Sequence, residues 1–331
     1  MTNEVRVAEP SEGSLQIAGF WARILAFCID FLVLGLVGFC MGLLWSDYFV
    51  RVGGWGRAIG FVVALAYFGF MNSRIFGGQT VGKRALKLRV ASTHGADLSL
   101  SSSCVRASVL CIPFFLNNAA INLDVLQTGF MYLLSMLVFG GGLSIVYLYI
   151  CNRKTRQSLH DLLVGSVVVK AASSRSSTLA ASPWRGHLVV ATVIMLISLA
   201  GPGFAMKLLN AEPFASLIPL QKALASEPGV TAASVNAGST WSKSMKEERK
   251  THTYLTAGVM IASKNVDYDS LANRLAGIIL SDYPGIAARD MLTVSVIYGY
   301  DIGIFSASQS VNFSYTPAQW RERLTAKSSA S

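Results

Sequence analysis

Residues 20–45 read FWARILAFCIDFLVLGLVGFCMGLLW. From Ile24 to Trp45 this stretch holds one charged residue, Asp30, and it is long enough to cross a bilayer as a helix. A central Asp costs roughly 2.5 to 3.5 kcal/mol on the insertion scale, whereas each Leu, Ile, Phe or Val contributes about 0.3 to 0.6 kcal/mol in favour of insertion. The apolar residues together outweigh the carboxylate, so the sequence predicts a membrane protein.

Two charged residues share one stripe of this predicted helix. Arg23 precedes Asp30 by two helical turns, so the two side chains leave on nearly the same face, about 10 Å apart along the axis. An ionisable group at the depth of Asp30 is a candidate for function, because spanning the membrane does not require it. Two structural alternatives stay open: Arg23 could extend to the lipid headgroups, and Asp30 could make a purely structural pair with a cation of another helix.

The composition indicates several membrane crossings. Of 331 residues, 52% are hydrophobic and 14% are charged, against a usual charged share of about 25%. The net charge of +10 is concentrated beside the apolar segments, which indicates basic cytoplasmic flanks in contact with a lipid bilayer and no nucleic-acid partner. The five cysteines lie in or next to apolar segments without metal-ligand spacing, and we expect them to be small buried hydrophobes.

The fold class predicted from these patterns is an α-helical polytopic membrane bundle of about five transmembrane helices. Residues 1–19 form a polar cytoplasmic tail, and the predicted spans are residues 20–45, 58–76, 104–122, 129–150 and 187–206. The third span is the weakest, since a re-entrant or surface helix would equally explain its polar residues Arg106, Asn117 and Asn118. It is counted as a crossing because the basic segments on either side of the third and fourth spans both belong in the cytoplasm.

A soluble domain follows the last span. Residues 171–186 form a linker before that span, and residues 211–331 predict a two-layer α+β domain with a mainly antiparallel sheet, built from two helix-strand-strand units. Thr316 to Gln319 predicts a capping box that starts a final helix. Five crossings from a cytoplasmic N-terminus place this domain in the periplasm or outside the cell, with the spans in the inner (plasma) membrane.

Two segments resemble catalytic or ligand-binding motifs. GGQTVGKR at residues 77–84 resembles a phosphate-binding loop, but Arg84 replaces the required Ser or Thr and no strand precedes the segment, so the glycines more simply provide a turn. The alternating residues that follow predict a short local hairpin. The pair His160 and Asp161 lacks a second acidic cluster, and the sequence predicts no metal, no cofactor and no enzyme activity.

Three elements of the sequence resemble the RDD family of membrane proteins, named for one arginine and two aspartates. The elements are AGFWARILAFCID from residue 18, GGQTVGKRALKLRV from residue 77, and RQSLHDLLVGSVVV from residue 156. By this resemblance Arg23, Asp30 and Asp161 are the family charges. The resemblance covers residues 18–170 and implies a polytopic module over residues 20–170, for which transport of an ion or small solute is the usual suggestion.

Two hypotheses of function follow. In the first, Asp30 titrates in a proton- or cation-coupled transporter, Arg23 tunes it, Asp161 lies at the cytoplasmic mouth, and Asn117 and Asn118 line the pathway. Because the spans are few, such a transporter would form a homo-oligomer. In the second, the charges only lock the helices, and the chain is an adaptor or sensor whose outer domain binds a protein. An active protein after deletion of residues 211–331 would argue against the adaptor.

Overall fold

The chain, described from a computed structural model, forms two compact units. The structure describes residues 14–117, 129–212, 214–242 and 250–328. The membrane unit comprises the described residues of Met1–Cys40, together with Arg57–Pro202 and Ile302–Phe305. The sheet unit comprises the described residues of Met41–Gly56, Gly203–Asp301 and Ser306–Ser331.

Helices dominate the first part of the chain. In order, the elements are α1 (Phe20–Val52), α2 (Gly56–Met71), α3 (Val81–Ala85), β1 (Leu88–Ser92), α4 (Leu100–Leu116), α5 (Phe130–Ser135), α6 (Gly142–Cys151), α7 (Leu159–Leu163), β2 (Ser166–Lys170), α8 (Arg185–Ser198) and α9 (Gly201–Leu209). A π-helical turn, Met136–Gly141, joins α5 to α6, and a 3₁₀ turn, Gly53–Trp55, joins α1 to α2. The backbone of α1 departs from helical geometry at Trp45.

Three helical stretches are long and apolar enough to cross a membrane, by length and composition: Phe20–Met71, Phe130–Cys151 and Arg185–Leu209. The first stretch folds back on itself, so that α2 packs against α1. Phe27 of α1 stacks on Phe68 of α2, with ring centroids 6.4 Å apart. The apolar helix α4 is shorter, with 17 residues that rise about 25 Å. Residues 118–122 of the predicted third span lie outside the described residues, so the count of five crossings stays a prediction.

A small sheet joins the two basic segments of the membrane unit. Strand β1 pairs antiparallel with β2, with Val90 opposite Val168. The sequence predicted that the strand after residue 86 pairs with its neighbour in a local hairpin. This prediction is wrong, because the strand pairs with β2, although the chain does turn at Gly95. The physical reason is burial: the side chains at the first four positions of both strands are buried, and pairing with β2 removes both apolar sets from water together.

The sheet unit carries a four-stranded sheet covered by helices. Its elements are α10 (Phe214–Ala225), β3 (Val230–Ser242), β4 (Lys250–Ile261), α11 (Tyr268–Asp282), β5 (Met291–Asp301), β6 (Ser306–Tyr315) and α12 (Pro317–Ser328). The strand order is β3-β4-β5-β6, and the two outer pairs are antiparallel. The central pair, β4 with β5, is parallel, because α11 forms a crossover between these strands. The sheet is thus mixed, with two antiparallel hairpins.

Two local features of the sheet unit agree with the sequence pattern: the alternating burial of side chains along β5 and the capping box at the start of α12. Along β5, Leu292, Val294 and Val296 are fully buried while the residues between them are more exposed, as expected for a sheet with one covered face. The predicted capping box is confirmed, since the Thr316 backbone N–H donates to Gln319 Oε1 and the Gln319 backbone N–H donates to Thr316 Oγ1. These contacts start α12 at Pro317.

Candidate functional site

The carboxylate of Asp30 is buried inside the membrane unit and receives donors from two other elements. Its side chain is 1% exposed. Oδ1 accepts hydrogen bonds from the Tyr67 hydroxyl of α2 at 2.7 Å and from the Gly82 backbone N–H at 2.8 Å. Oδ2 accepts a hydrogen bond from the Thr80 hydroxyl at 2.6 Å. A buried carboxylate with three donors keeps its negative charge far from bulk water.

The segment that follows α2 is shaped to reach this carboxylate. Gly77 and Gly78 have φ values of 66° and 73°, in the left-handed region that favours glycine, and they turn the chain back toward α1. Thr80 then caps α3, because its side chain accepts a hydrogen bond from the Lys83 backbone N–H. A Cβ on Gly82 would overlap the backbone carbonyl of Ala26, so only glycine lets the α3 backbone approach α1 this closely.

Lys83 supplies the cationic group at Asp30. Its Nζ lies 4.0 Å from Asp30 Oδ2 and 3.4 Å from Thr80 Oγ1, and its side chain is 12% exposed. Burial and, to a smaller extent, the positive charge of Arg106 lower the pKa of Lys83 against the opposing effect of Asp30, and the net result is about 7. Lys83 therefore exchanges its proton near neutral pH.

A second charge cluster surrounds Asp161 in α7. Arg23 Nη2 lies 3.1 Å from Asp161 Oδ2, and Arg106 Nη2 lies 2.8 Å from Oδ1, so arginines of α1 and α4 meet on one carboxylate. The Ser166 hydroxyl donates to Oδ1 at 3.0 Å, and the Ser158 backbone N–H donates to Oδ2 at 3.3 Å. All three charged side chains are almost fully buried. This cluster ties α1, α4 and α7 together.

Electrostatics keep Asp161 ionised. Burial by itself would raise the pKa of Asp161, but the charges of Arg106 and Arg23 hold it well below its usual range. Arg23 also donates to the backbone carbonyl of Arg156, and its guanidinium lies over the Tyr149 ring at 4.7 Å. Arg23 is therefore fixed by three partners at once.

The structure divides the predicted site residues between different places. Arg23 lies with Asp161 and Arg106, whereas Asp30 lies with the segment that contains α3, so the two charges on one stripe of α1 have separate partners. Asn117 ends α4, is exposed, and lines an apolar cavity. Asn118 lies outside the described residues.

Several residues of the two clusters were not predicted from the sequence. Tyr67, Thr80 and Lys83 at Asp30, and Arg106 at Asp161, were not assigned to these partners. The phosphate-loop resemblance of residues 77–84 was the available signal: such a segment exposes a capped helix start, a glycine N–H and a lysine toward an anion. Here the anion is the carboxylate of Asp30.

The helices and the two clusters define a class of protein. Long apolar helices that enclose two buried carboxylates, each neutralised from another element, are the features of a helical membrane protein whose charges face inward. Residues 17–165 match the family model described as RDD family, and this part of the chain is similar to that family. The sheet of the sheet unit lies outside the matched residues. Neither a curated protein nor a solved structure matches the chain.

Proposed function

We propose that the protein exchanges monovalent cations for protons across the membrane at Asp30. One observation carries the proposal: a buried carboxylate has two hydroxyl groups and a lysine ammonium around it. Buried ionisable groups of this kind mark ion and proton sites in membrane proteins. An alkali cation needs the same surroundings as the ammonium, a negative charge and oxygen ligands in a shielded place.

The exchange step balances in charge. When the Lys83 ammonium releases its proton, the negative charge of Asp30 loses its cationic partner. One monovalent cation can then bind at Asp30, with oxygens of Thr80 and Tyr67 beside it, and the net charge of the site is unchanged. Return of the proton to Lys83 displaces the cation. A proton on Lys83 and a cation at Asp30 therefore exclude each other.

The proposed topology gives the site its orientation. We propose that the N-terminus and the segments containing β1 and β2 lie in the cytoplasm, that five helices cross the inner membrane, and that the sheet unit lies outside. Support comes from the basic residues of those two segments, which carry the usual cytoplasmic bias. Asp30 then lies near the cytoplasmic end of α1, within reach of protons from that side. Four or five crossings are few for a complete pathway, so we propose a homo-oligomer.

Lys83→Met tests the proton coupling of this site. In the wild type, Na⁺ binding is expected to strengthen by about tenfold per pH unit as the pH rises toward the pKa of Lys83, about 7, and then to level off. The groups that interact electrostatically with Lys83 are Arg106, Asp30, Asp161, Arg23 and His160; of these, Asp161 stays ionised and His160 stays neutral over this range. Lys83→Met should bind Na⁺ with an affinity independent of pH, measured by radiotracer binding to purified protein.

The exposed Lys87 provides the matched control for this experiment. Lys87→Met removes a lysine charge four residues further along the chain, and it should keep the wild-type pH profile. A Lys83→Met protein that is folded but keeps the same pH profile as the wild type would contradict the assignment of Lys83.

A second candidate function, that of an adaptor, is favoured by the edge of the sheet. Strand β6 is the last strand in the order and most of its residues are exposed, including the apolar Val311. Such an edge suits the addition of an extended segment of a partner protein. This role would use the sheet unit and is compatible with cation exchange in the membrane unit.

A further inference from the structure

Two adjoining cavities in the membrane unit lie apart from the carboxylate of Asp30. Their volumes are about 410 Å³ and 380 Å³, within the usual range of ligand sites. They share one wall, formed by Phe27, Phe68, Leu110, Ile145 and Val146. The two cavities therefore adjoin along residues of α1, α2, α4 and α6, and the pair is called the crevice below.

The first cavity has the character of a site for hydrocarbon. Its walls are almost entirely apolar, and Asn117 is the one amide among the described lining residues. Phe139 and Leu143 in these walls are exposed at the surface of the unit, so the cavity is accessible from where lipid chains lie. An unpaired ion would be costly in these surroundings, whereas an acyl chain gains by burial.

The second cavity carries positive charge. Arg23, Lys83 and Arg106 line it, whereas their carboxylate partners Asp30 and Asp161 do not. With Lys83 protonated, three cations face two carboxylates, which leaves an excess of one positive charge at this end of the crevice. Arginine and lysine side chains in a pocket between membrane helices suit the phosphate of an anionic lipid.

His160 also lines this cavity, and its ring has an unused hydrogen-bonding atom. Its side chain is 6% exposed, and its Nδ1 has no hydrogen-bond partner among the described residues. Burial lowers the pKa of His160 to about 3, so the ring is neutral at physiological pH. Because Nε2 lies 3.5 Å from Asp161 Oδ2, the ring proton belongs on Nε2, and Nδ1 can accept a hydrogen bond from a hydroxyl.

We propose that this crevice binds an anionic phospholipid of the surrounding bilayer. An acyl chain occupies the first cavity, the phosphate lies beside Arg23, Lys83 and Arg106, and a headgroup hydroxyl donates to His160 Nδ1. The charge favours this occupant over a zwitterionic lipid, whose ammonium would meet the cations. The apolar cavity favours it over a soluble phosphate compound, which would leave the larger part of the crevice unfilled.

The test compares lipids with the same acyl chains on the full-length protein in detergent. Phosphatidylglycerol supplies a phosphate and hydroxyls, phosphatidylcholine supplies the zwitterionic headgroup, and glycerol phosphate supplies the headgroup without chains. By native mass spectrometry with titrated lipid, we expect phosphatidylglycerol to bind at least about tenfold more tightly than either, a difference of about 1.4 kcal/mol.

Variants assign the binding to the crevice. Val146→Trp places a large ring in the shared wall, where Val146 is 54% exposed, and should weaken phosphatidylglycerol binding by about tenfold or more. Val193→Trp is its control, since Val193 of α8 is 45% exposed and lines neither cavity. Lys83→Met should also weaken binding, and Lys87→Met should not.

Three results would overturn the proposal: equal binding of the two phospholipids, equal binding of glycerol phosphate, or no loss in Val146→Trp relative to Val193→Trp. Equal binding of glycerol phosphate would show that the charged end holds a soluble anion. The inference does not depend on cation exchange, because a chain that moves no cation would still discriminate between the lipids.

Discussion

Asp30→Asn is expected to reduce proton-coupled Na⁺ flux into reconstituted vesicles to the level of protein-free vesicles. The amide keeps the size of the side chain, and its one oxygen can still accept from Tyr67 and the Gly82 N–H, but it loses the acceptor for Thr80 and carries no charge to balance a cation. Removing one partner of a buried charge pair costs roughly 2 to 5 kcal/mol. Cation binding should therefore weaken by about 30-fold or more, since each 1.4 kcal/mol corresponds to a factor of about ten.

Asp47→Asn is the matched control for the flux experiment. Asp47 lies in the same helix but is exposed, and its Oδ1 accepts from the Tyr298 hydroxyl within the sheet unit. This variant should keep wild-type flux. Size-exclusion profiles of both variants would confirm that they are folded, and a folded Asp30→Asn protein with wild-type flux would refute cation exchange at this carboxylate.

Asp161→Asn is expected to destabilise the protein strongly. The substitution leaves Arg23 and Arg106 buried without their shared negative charge. Breaking a buried ion pair in this way costs about 3 to 5 kcal/mol. At about 2 to 4 °C per kcal/mol, the midpoint temperature of thermal unfolding in detergent should fall by roughly 6 to 20 °C.

The contribution of ionised Asp161 to the free energy of unfolding decreases at acidic pH. The pKa of Asp161 is lower in the folded chain than its unfolded value of about 3.9. Its stabilisation is therefore complete above that value and is lost as the pH falls through the lower folded pKa. From neutral pH down to about 5, the difference in stability between wild type and Asp161→Asn should stay constant.

Asp97→Asn provides the comparison for Asp161. Asp97 also has two arginine partners, at 3.3 Å and 3.1 Å, but one of them, Arg175, is largely exposed. Solvent screens the pair of Asp97 with Arg175, so Asp97→Asn should lower the unfolding temperature by less than Asp161→Asn does. Equal shifts in the two variants would contradict a special role for the buried cluster.

The sequence predicted the membrane character of the chain because long apolar runs depend only on composition. It also identified Asp30 as unusual, since a charge inside such a run is conspicuous, whereas Asp161 was identified through the family resemblance. The sequence left the partners of these charges open: Arg23 and Asp30 share one stripe of the predicted helix, and tertiary contacts give each residue a different charged partner. The partners of Asp30 come from residues 37 or more positions away, such as Tyr67 and Thr80, and local patterns carry no information on contacts over such separations.

The strand pairings also show that contacts between residues far apart in sequence could not be predicted from local patterns. The strands β1 and β2 were each recognisable by their alternation or apolar content, but their pairing joins residues almost 80 positions apart, such as Val90 and Val168. In the sheet unit, the capping box at Thr316 was predictable because it is a contact between near neighbours. The parallel pairing of β4 with β5 was not, because it depends on how α11 crosses the sheet.

The two charge clusters both lie in the membrane unit, but we assign them different roles. Asp161 is neutralised by two arginines that keep their charge, which suits a fixed joint between helices. Asp30 faces a lysine that exchanges its proton near neutral pH, which suits a site whose occupant changes. Stability is therefore assigned to the first cluster and exchange to the second.

Proton release on addition of Na⁺ tests this assignment most directly. Purified protein in weak buffer about one pH unit below the pKa of Lys83, which is about 7, should release close to one proton per chain when Na⁺ saturates Asp30, as followed by a pH-sensitive dye. Lys83→Met and Asp30→Asn should release none. A wild-type protein that binds Na⁺ without releasing protons, or an Asp30→Asn protein that releases as many as the wild type, would contradict proton–cation exchange at Asp30.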